Sequence, residues 1–105
     1  MRPVTIFSGQ WTDIPLDKLA AKAASWGYEG IEVACGNHLD PVKAATDRKY
    51  CRQILNIFKK NGMNLYAISN HLACQLVCDP DDDFRTDIFA PKACAGSASK
   101  KRKWA

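Results

Sequence analysis

The sequence has no apolar run near the roughly 20 residues needed to cross a bilayer. Its opening residues, Met1-Arg2-Pro3-Val4, also lack the apolar core of a secretory signal. A soluble cytoplasmic protein without a membrane partner is the expectation. There is no Gly-x-Gly-x-x-Gly fingerprint, no phosphate-binding loop and no nucleophile elbow, so three common routes to nucleotide or hydrolase chemistry find no footing. Regular cysteine spacing is missing too. Cys35, Cys51, Cys74, Cys78 and Cys94 form an odd, irregular set, unlike the dense even pattern of a disulfide scaffold. Cys74 and Cys78 do not make the tight Cys-x-x-Cys knuckle of a zinc site, and no second ligand pair follows. Reduced thiols are expected and no metal site is assigned.

What is present is the composition of a globular domain: 105 residues, 47% apolar and 25% charged. The net charge of +4 is local. Of the 15 cations, four are consecutive, Lys100-Lys101-Arg102-Lys103, and the other 11 match the 11 carboxylates. The body of the chain therefore does not read as a nucleic-acid platform. The basic run by itself is only a weak sign of an import or nucleic-acid signal.

Val4-Thr5-Ile6-Phe7 reads as a buried strand closed by Ser8-Gly9. A helix follows, with Asp13 as candidate N-cap, Pro15 in the first turn, and Leu16, Leu19, Ala20 and Ala23 as one apolar stripe. Trp26-Gly27 stops it. Gly30 to Cys35 reads as a second strand, residues 36–46 as a loop, and Asp47 to Lys60 as a second helix carrying Cys51, Ile54, Leu55 and Phe58 on one face. Asn61-Gly62 ends that helix, and Asn64 to Ser69 forms a third strand. Strand and helix alternate with short returns, which predicts an α/β fold with a parallel sheet. From Cys78 onward the periodicity is lost, and residues 81–105 are expected to be an irregular, disordered basic tail. Asp81-Asp82-Asp83 lacks the ligand spacing of a calcium loop and reads as a solvated turn.

In α/β folds, sites form at the C-terminal edge of the sheet. Ser8, Gln10 and Trp11 stand there after strand one, Glu32 in strand two with His38 and Asp40 in its loop, and Asn70, His71 and Gln75 after strand three. Glu32 is a carboxylate among apolar neighbours, so it needs a ligand, a cation or hydrogen-bond donors. His71 suits a proton shuttle, a substrate donor or a metal ligand, and equally a histidine bonded to a loop carbonyl. His38 reads as a surface-loop histidine. Trp11 reads as a pocket wall or as a lid over the sheet end.

Three segments carry a resemblance: Thr5-Ile6-Phe7-Ser8-Gly9-Gln10-Trp11, Trp26-Gly27-Tyr28-Glu29-Gly30-Ile31-Glu32-Val33-Ala34 and Ala67-Ile68-Ser69-Asn70-His71-Leu72. With Val77-Cys78-Asp79-Pro80, they resemble the N-terminal part of the sugar phosphate isomerase/epimerase family, the xylose isomerase-like TIM barrels. The resemblance implies that residues 1–80 form about three β-α units of a partial (β/α)8 barrel. It implies a small-molecule sugar or sugar phosphate as ligand, with Glu32 and His71 lining the pocket and Trp11 as its wall; His38 is a further candidate substrate contact, and the parallel strands are expected to bring Trp11, Glu32 and His71 to one rim. Complete members use a divalent metal (Mn, Mg or Co) held by carboxylates and a histidine from later strands. A complete barrel takes about 250 residues, so this chain corresponds to a fragment with no catalytic or metal residues of its own, inactive alone. Two alternatives stand beside it. One is a small interaction module, self-associating through exposed sheet edges. The other is an apurinic-site endonuclease-like relative, disfavoured by the balanced charge.

Overall fold

Three short stretches rich in apolar and β-branched residues form the sheet: β1 (Thr5–Phe7), β2 (Gly30–Ala34) and β3 (Asn64–Ser69). They are parallel and lie in sequence order, β1-β2-β3, as an open sheet with β2 at the centre. The computed structural model describes residues 1–105 and divides them into two compact units, 1–69 and 70–105. The α/β class and parallel strands expected from the alternation are present in the first unit. The division falls after Ser69, ahead of the boundary at Pro80 that the resemblance implies.

Strand β2 alternates between two environments. Ile31 and Val33 are fully buried on the face that meets helix α1 (Leu16–Ser25) and helix α3 (Arg48–Lys60). Leu16, Leu19, Ala20 and Ala23 from α1, Ile54 and Phe58 from α3, and Met63 complete that core. The helices touch each other as well as the sheet, so both lie on one face of it. Successive strand residues point to opposite faces, which turns Gly30, Glu32 and Ala34 the other way.

Both helices stop by the same device. The Tyr28 N–H bonds the Ala23 carbonyl (3.1 Å) and the Gly27 N–H the Ala24 carbonyl (3.0 Å), a Schellman closure around Gly27 at φ 88°. Met63 and Gly62 repeat it onto Phe58 (3.0 Å) and Lys59 (3.2 Å), with Gly62 at φ 65°. A left-handed residue is required at each position, and glycine supplies it without steric cost.

The start of α1 differs from expectation. Asp13 does not cap it; Pro15 occupies the N-cap without a side-chain bond. The reason is a separate turn ahead of the helix, in which the Ile14 N–H reaches the Trp11 carbonyl (3.1 Å) and holds Asp13 too far back. Residues 36–46 are not all loop either, since Pro41–Thr46 form the short helix α2. Asp40 caps it by accepting from the Val42 and Lys43 N–H groups (both 3.0 Å), and this holds the Asp40 carboxyl below the usual range. Asp47 then caps α3, accepting from the N–H groups of Lys49 (2.7 Å) and Tyr50 (3.1 Å).

The register slips once. Ile31 lies opposite Leu65 but Glu32 opposite Ala67, which leaves Tyr66 as the extra residue of a bulge. A Cβ at Gly30 would sit 2.4 Å from the Tyr66 ring and 2.6 Å from the Asn64 carbonyl oxygen. Gly30→Ala should therefore lower the unfolding free energy by about 1–3 kcal/mol, the usual range for overpacking. In urea denaturation a Tyr66→Ala background should restore only part of the loss, because the backbone oxygen remains.

The second unit replaces the disordered tail expected from the sequence with turns and helices. Helix α4 (His71–Cys78) is followed by 3-10 turns at Phe84–Phe89 and Lys92–Cys94 and by helix α5 (Ala98–Trp104). Its buried apolar content is slight, with Leu76 the one buried aliphatic side chain. Ion pairs supply the order that apolar periodicity does not. Lys101, only 4% exposed, pairs with Asp87 and donates to the Thr86 hydroxyl (2.8 Å). Arg102 grips Asp81 through both terminal guanidinium nitrogens, Nη2 at 2.9 Å, and Arg85 grips Asp83 through Nε and Nη2 at 2.9 and 2.7 Å. The acidic turn is thus partly consumed by internal cations, and so is half of the basic run.

Those bonds carry a pH signature. The Arg102, Arg85 and Lys101 side chains hold Asp81, Asp83 and Asp87 below the usual carboxylate range. A depressed folded pKa adds stability above the unfolded value of about 3.9, and that stability is lost as pH falls through the folded value. Amide exchange of α5 should accordingly be flat from pH 7 to about 5, after correction for intrinsic rates. Protection should then collapse below about pH 4. A midpoint above pH 5 would contradict the ion-pair account.

Candidate functional site

The C-terminal edge of the sheet is organised by a hydroxyl that follows β1. Ser8 is fully buried in a 3-10 turn, and its Oγ accepts the Ala34 N–H at the end of β2 (2.8 Å). The same oxygen lies 3.0 Å from Nδ1 of His38, whose Nε2 stands 2.9 Å from the Ile14 carbonyl oxygen. A carbonyl only accepts, so Nε2 must carry a proton. In the neutral imidazole Nδ1 then accepts from the Ser8 hydroxyl, and every polar atom of the chain of bonds has a partner.

His38 is therefore not the surface-loop histidine that its neighbourhood suggests. It is 8% exposed, and both ring nitrogens are engaged within the protein, so neither is left for a sugar hydroxyl. The polar loop around it is folded inward: Gly36 stands at φ 90°, and the His38 and Leu39 N–H groups both return to the Ala34 carbonyl (3.2 Å each). Ser8 is the residue whose importance the sequence reading undervalued. The signal available for it was a small hydroxyl immediately after a buried strand.

Glu32 lies on the sheet face opposite the two helices, between Phe7 of β1 and Ala67 of β3. It is half-buried and takes part in none of the ion pairs. Gly30 and Ala34 in β2 flank it, with Ala67 and Ser69 paired across. The carboxylate is thus bordered by these small residues and by two aromatic ones, Phe7 beside it in β1 and Tyr66 with its ring over Gly30, and as an unpaired acceptor it can take hydrogen bonds from a polyhydroxylated ligand.

Trp11 is half-buried, packs on the apolar core and tilts against Trp26 with ring centroids 6.1 Å apart at 47°. Much of its ring is spent on that packing. His71 belongs to the second unit, where it opens α4 and is exposed. Trp11, Glu32 and His38 are held by the first unit. Cys35, at the end of β2, has its thiol pushed up by burial, which keeps it a poor nucleophile. No three His, Cys, Asp or Glu side chains come together in a group fit to hold a metal ion.

Compared with known proteins, the chain matches no family model and none of the curated proteins.

Removing the Ser8 hydroxyl leaves the Ala34 N–H and the His38 Nδ1 without partners. Ser8→Ala should cost about 1–3 kcal/mol in chemical denaturation. It should also speed exchange of the Ala34 amide more than that of the Val33 amide. A neutral effect on both would show that the hydroxyl is not what joins β1 to β2.

Proposed function

We propose that the chain forms the first β-α units of a sugar or sugar phosphate isomerase/epimerase barrel and binds its ligand through Glu32. The observation that carries this reading is the sheet itself. Three parallel strands in sequence order, with both helices on one face, leave the opposite face to hold a lone carboxylate among glycine, alanine and serine, with Phe7 and Tyr66 alongside. A singly wound sheet of this kind is what an opening stretch of a (β/α)8 barrel would contain. The resemblance of the three strand-end segments adds the substrate class.

On this reading Glu32 accepts hydrogen bonds from adjacent sugar hydroxyls, with Phe7 and Tyr66 as aromatic neighbours of the ring or open chain. Trp11 contributes an apolar wall only with the part of its ring not packed on Trp26. His38 acts one step back by fixing the edge that carries Ala34. In the family resembled, the residues that hold the divalent metal lie on later strands, so on this reading this chain's part is binding rather than turnover.

The test is a heteronuclear NMR titration of the 105-residue chain with a ketose and its phosphate. Millimolar affinity is expected, about −4 kcal/mol, with shifts centred on Glu32, Ala34 and Ala67 that are lost in Glu32→Gln. Sustained epimerisation by the pure chain with manganese, magnesium or cobalt would overturn the reading, as would shifts that ignore Glu32.

A further inference from the structure

The balanced charge of the body conceals a segregation. No Asp or Glu occurs between Asp47 and Asp79, and helix α3 lies within that stretch. The helix carries Arg48, Lys49, Arg52, Lys59 and Lys60, all exposed, and none of them enters an ion pair. Asp47, the acid that borders it, has a carboxylate oxygen committed to the N–H groups of Lys49 and Tyr50. Near the C-terminal end, Asn56, Lys59 and Lys60 line an open depression. Unpaired cations occur on other helices, Lys18 and Lys22 on α1 and Lys100 and Lys103 on α5, but none carries five: Lys43 of α2 pairs with Asp40, and Lys101 and Arg102 of α5 pair with Asp87 and Asp81.

We infer that the outer face of α3 docks the phosphate backbone of a nucleic acid without reading its sequence. Five unpaired cations on a 13-residue rod, roughly 20 Å long at 1.5 Å per residue, present charge along a line, as a phosphate chain does. Gln53 and Asn56, both exposed between the cations, add amide donors of the kind that contact phosphate oxygens. An anionic membrane is the weaker match. The apolar side of the helix, Ile54 and Phe58, is buried in the core and cannot insert, and the exposed face offers Leu55 but no aromatic to sit among headgroups. This surface is separate from the Glu32 face, and the inference does not depend on the sugar reading.

The experiment is fluorescence anisotropy of the whole chain with labelled 20-mers, single-stranded and duplex, at 50 and 200 mM salt. Binding should be indifferent to sequence, and log K should fall by up to about 4.5 per decade of salt for the duplex and about 3.5 for the single strand, the limits for five phosphate contacts. Lys49→Glu with Arg52→Glu, and separately Lys59→Gln with Lys60→Gln, should each weaken binding by about tenfold or more. The first pair places carboxylates where the helix dipole favours them, so circular dichroism should confirm an intact fold. Lys100→Gln with Lys103→Gln should leave the affinity within about twofold, since the tail is not the proposed contact. No binding at 50 mM salt, binding unchanged by both α3 variants, or binding to phosphatidylserine vesicles but not to the oligonucleotides would each overturn the inference.

Discussion

The Ser8 hydroxyl is where the first unit is tied together. Strand β1 is three residues long, and so short a ladder holds its neighbour weakly. The ladder is extended by a side chain: Ser8 Oγ takes the Ala34 N–H, engages the His38 imidazole and, through that ring, reaches the Ile14 carbonyl. Two segments distant in sequence, 8–14 and 34–38, are joined by three hydrogen bonds, two of them buried from water, where leaving any partner unpaired is costly. Glu32 stands two residues before Ala34, so the position of the open carboxylate depends on this tie. A histidine that reads as a candidate ligand serves instead as a brace.

The two units are stabilised by different physics. Residues 1–69 bury an aliphatic and aromatic cluster between two helices and a sheet, and a fully buried Phe or Leu side chain contributes about 1.5–3 kcal/mol by leaving water. Residues 70–105 bury one such side chain and rely on charge pairs at Asp81, Asp83 and Asp87. Exposed ion pairs are weak, with a median near 0–1 kcal/mol, and salt screens them. The Lys101 pair stands apart because its ammonium is buried, so loss of either partner would strand a charge. The first unit is accordingly the more robust to ionic conditions.

Much of the first unit was legible in the sequence. The apolar stripe of Leu16, Leu19, Ala20 and Ala23, the glycines at 27 and 62, and the β-branched runs at Thr5, Ile31 and Ile68 each act through local geometry, so pattern alone placed α1, α3 and the three strands. Helix α2 escaped notice because a six-residue helix has no room for a periodic stripe, although Asp40-Pro41 offered a capping signal. Helix α5 escaped because its partners are carboxylates 14 or more residues away rather than an apolar face. The bulge at Tyr66 left no local mark, since it answers to what lies opposite on β2. Of the candidate site, Glu32 was legible as a carboxylate inside an apolar strand, and its lack of an ion-pair partner was not.

By itself the sequence determined the order of strands and helices, the two glycine stops and the odd placement of a carboxylate in a buried strand, because each rests on residues within a turn or two of one another. Only the tertiary structure decided which polar side chains are spent and which are free. His38 is consumed by Ser8, Lys101 and Arg102 by aspartates, and Trp11 in part by Trp26, while Glu32 and the cations of α3 remain unpaired. The physical reason is that a hydrogen bond or ion pair depends on distances of about 3–4 Å between groups far apart in the chain, and no local pattern encodes that proximity.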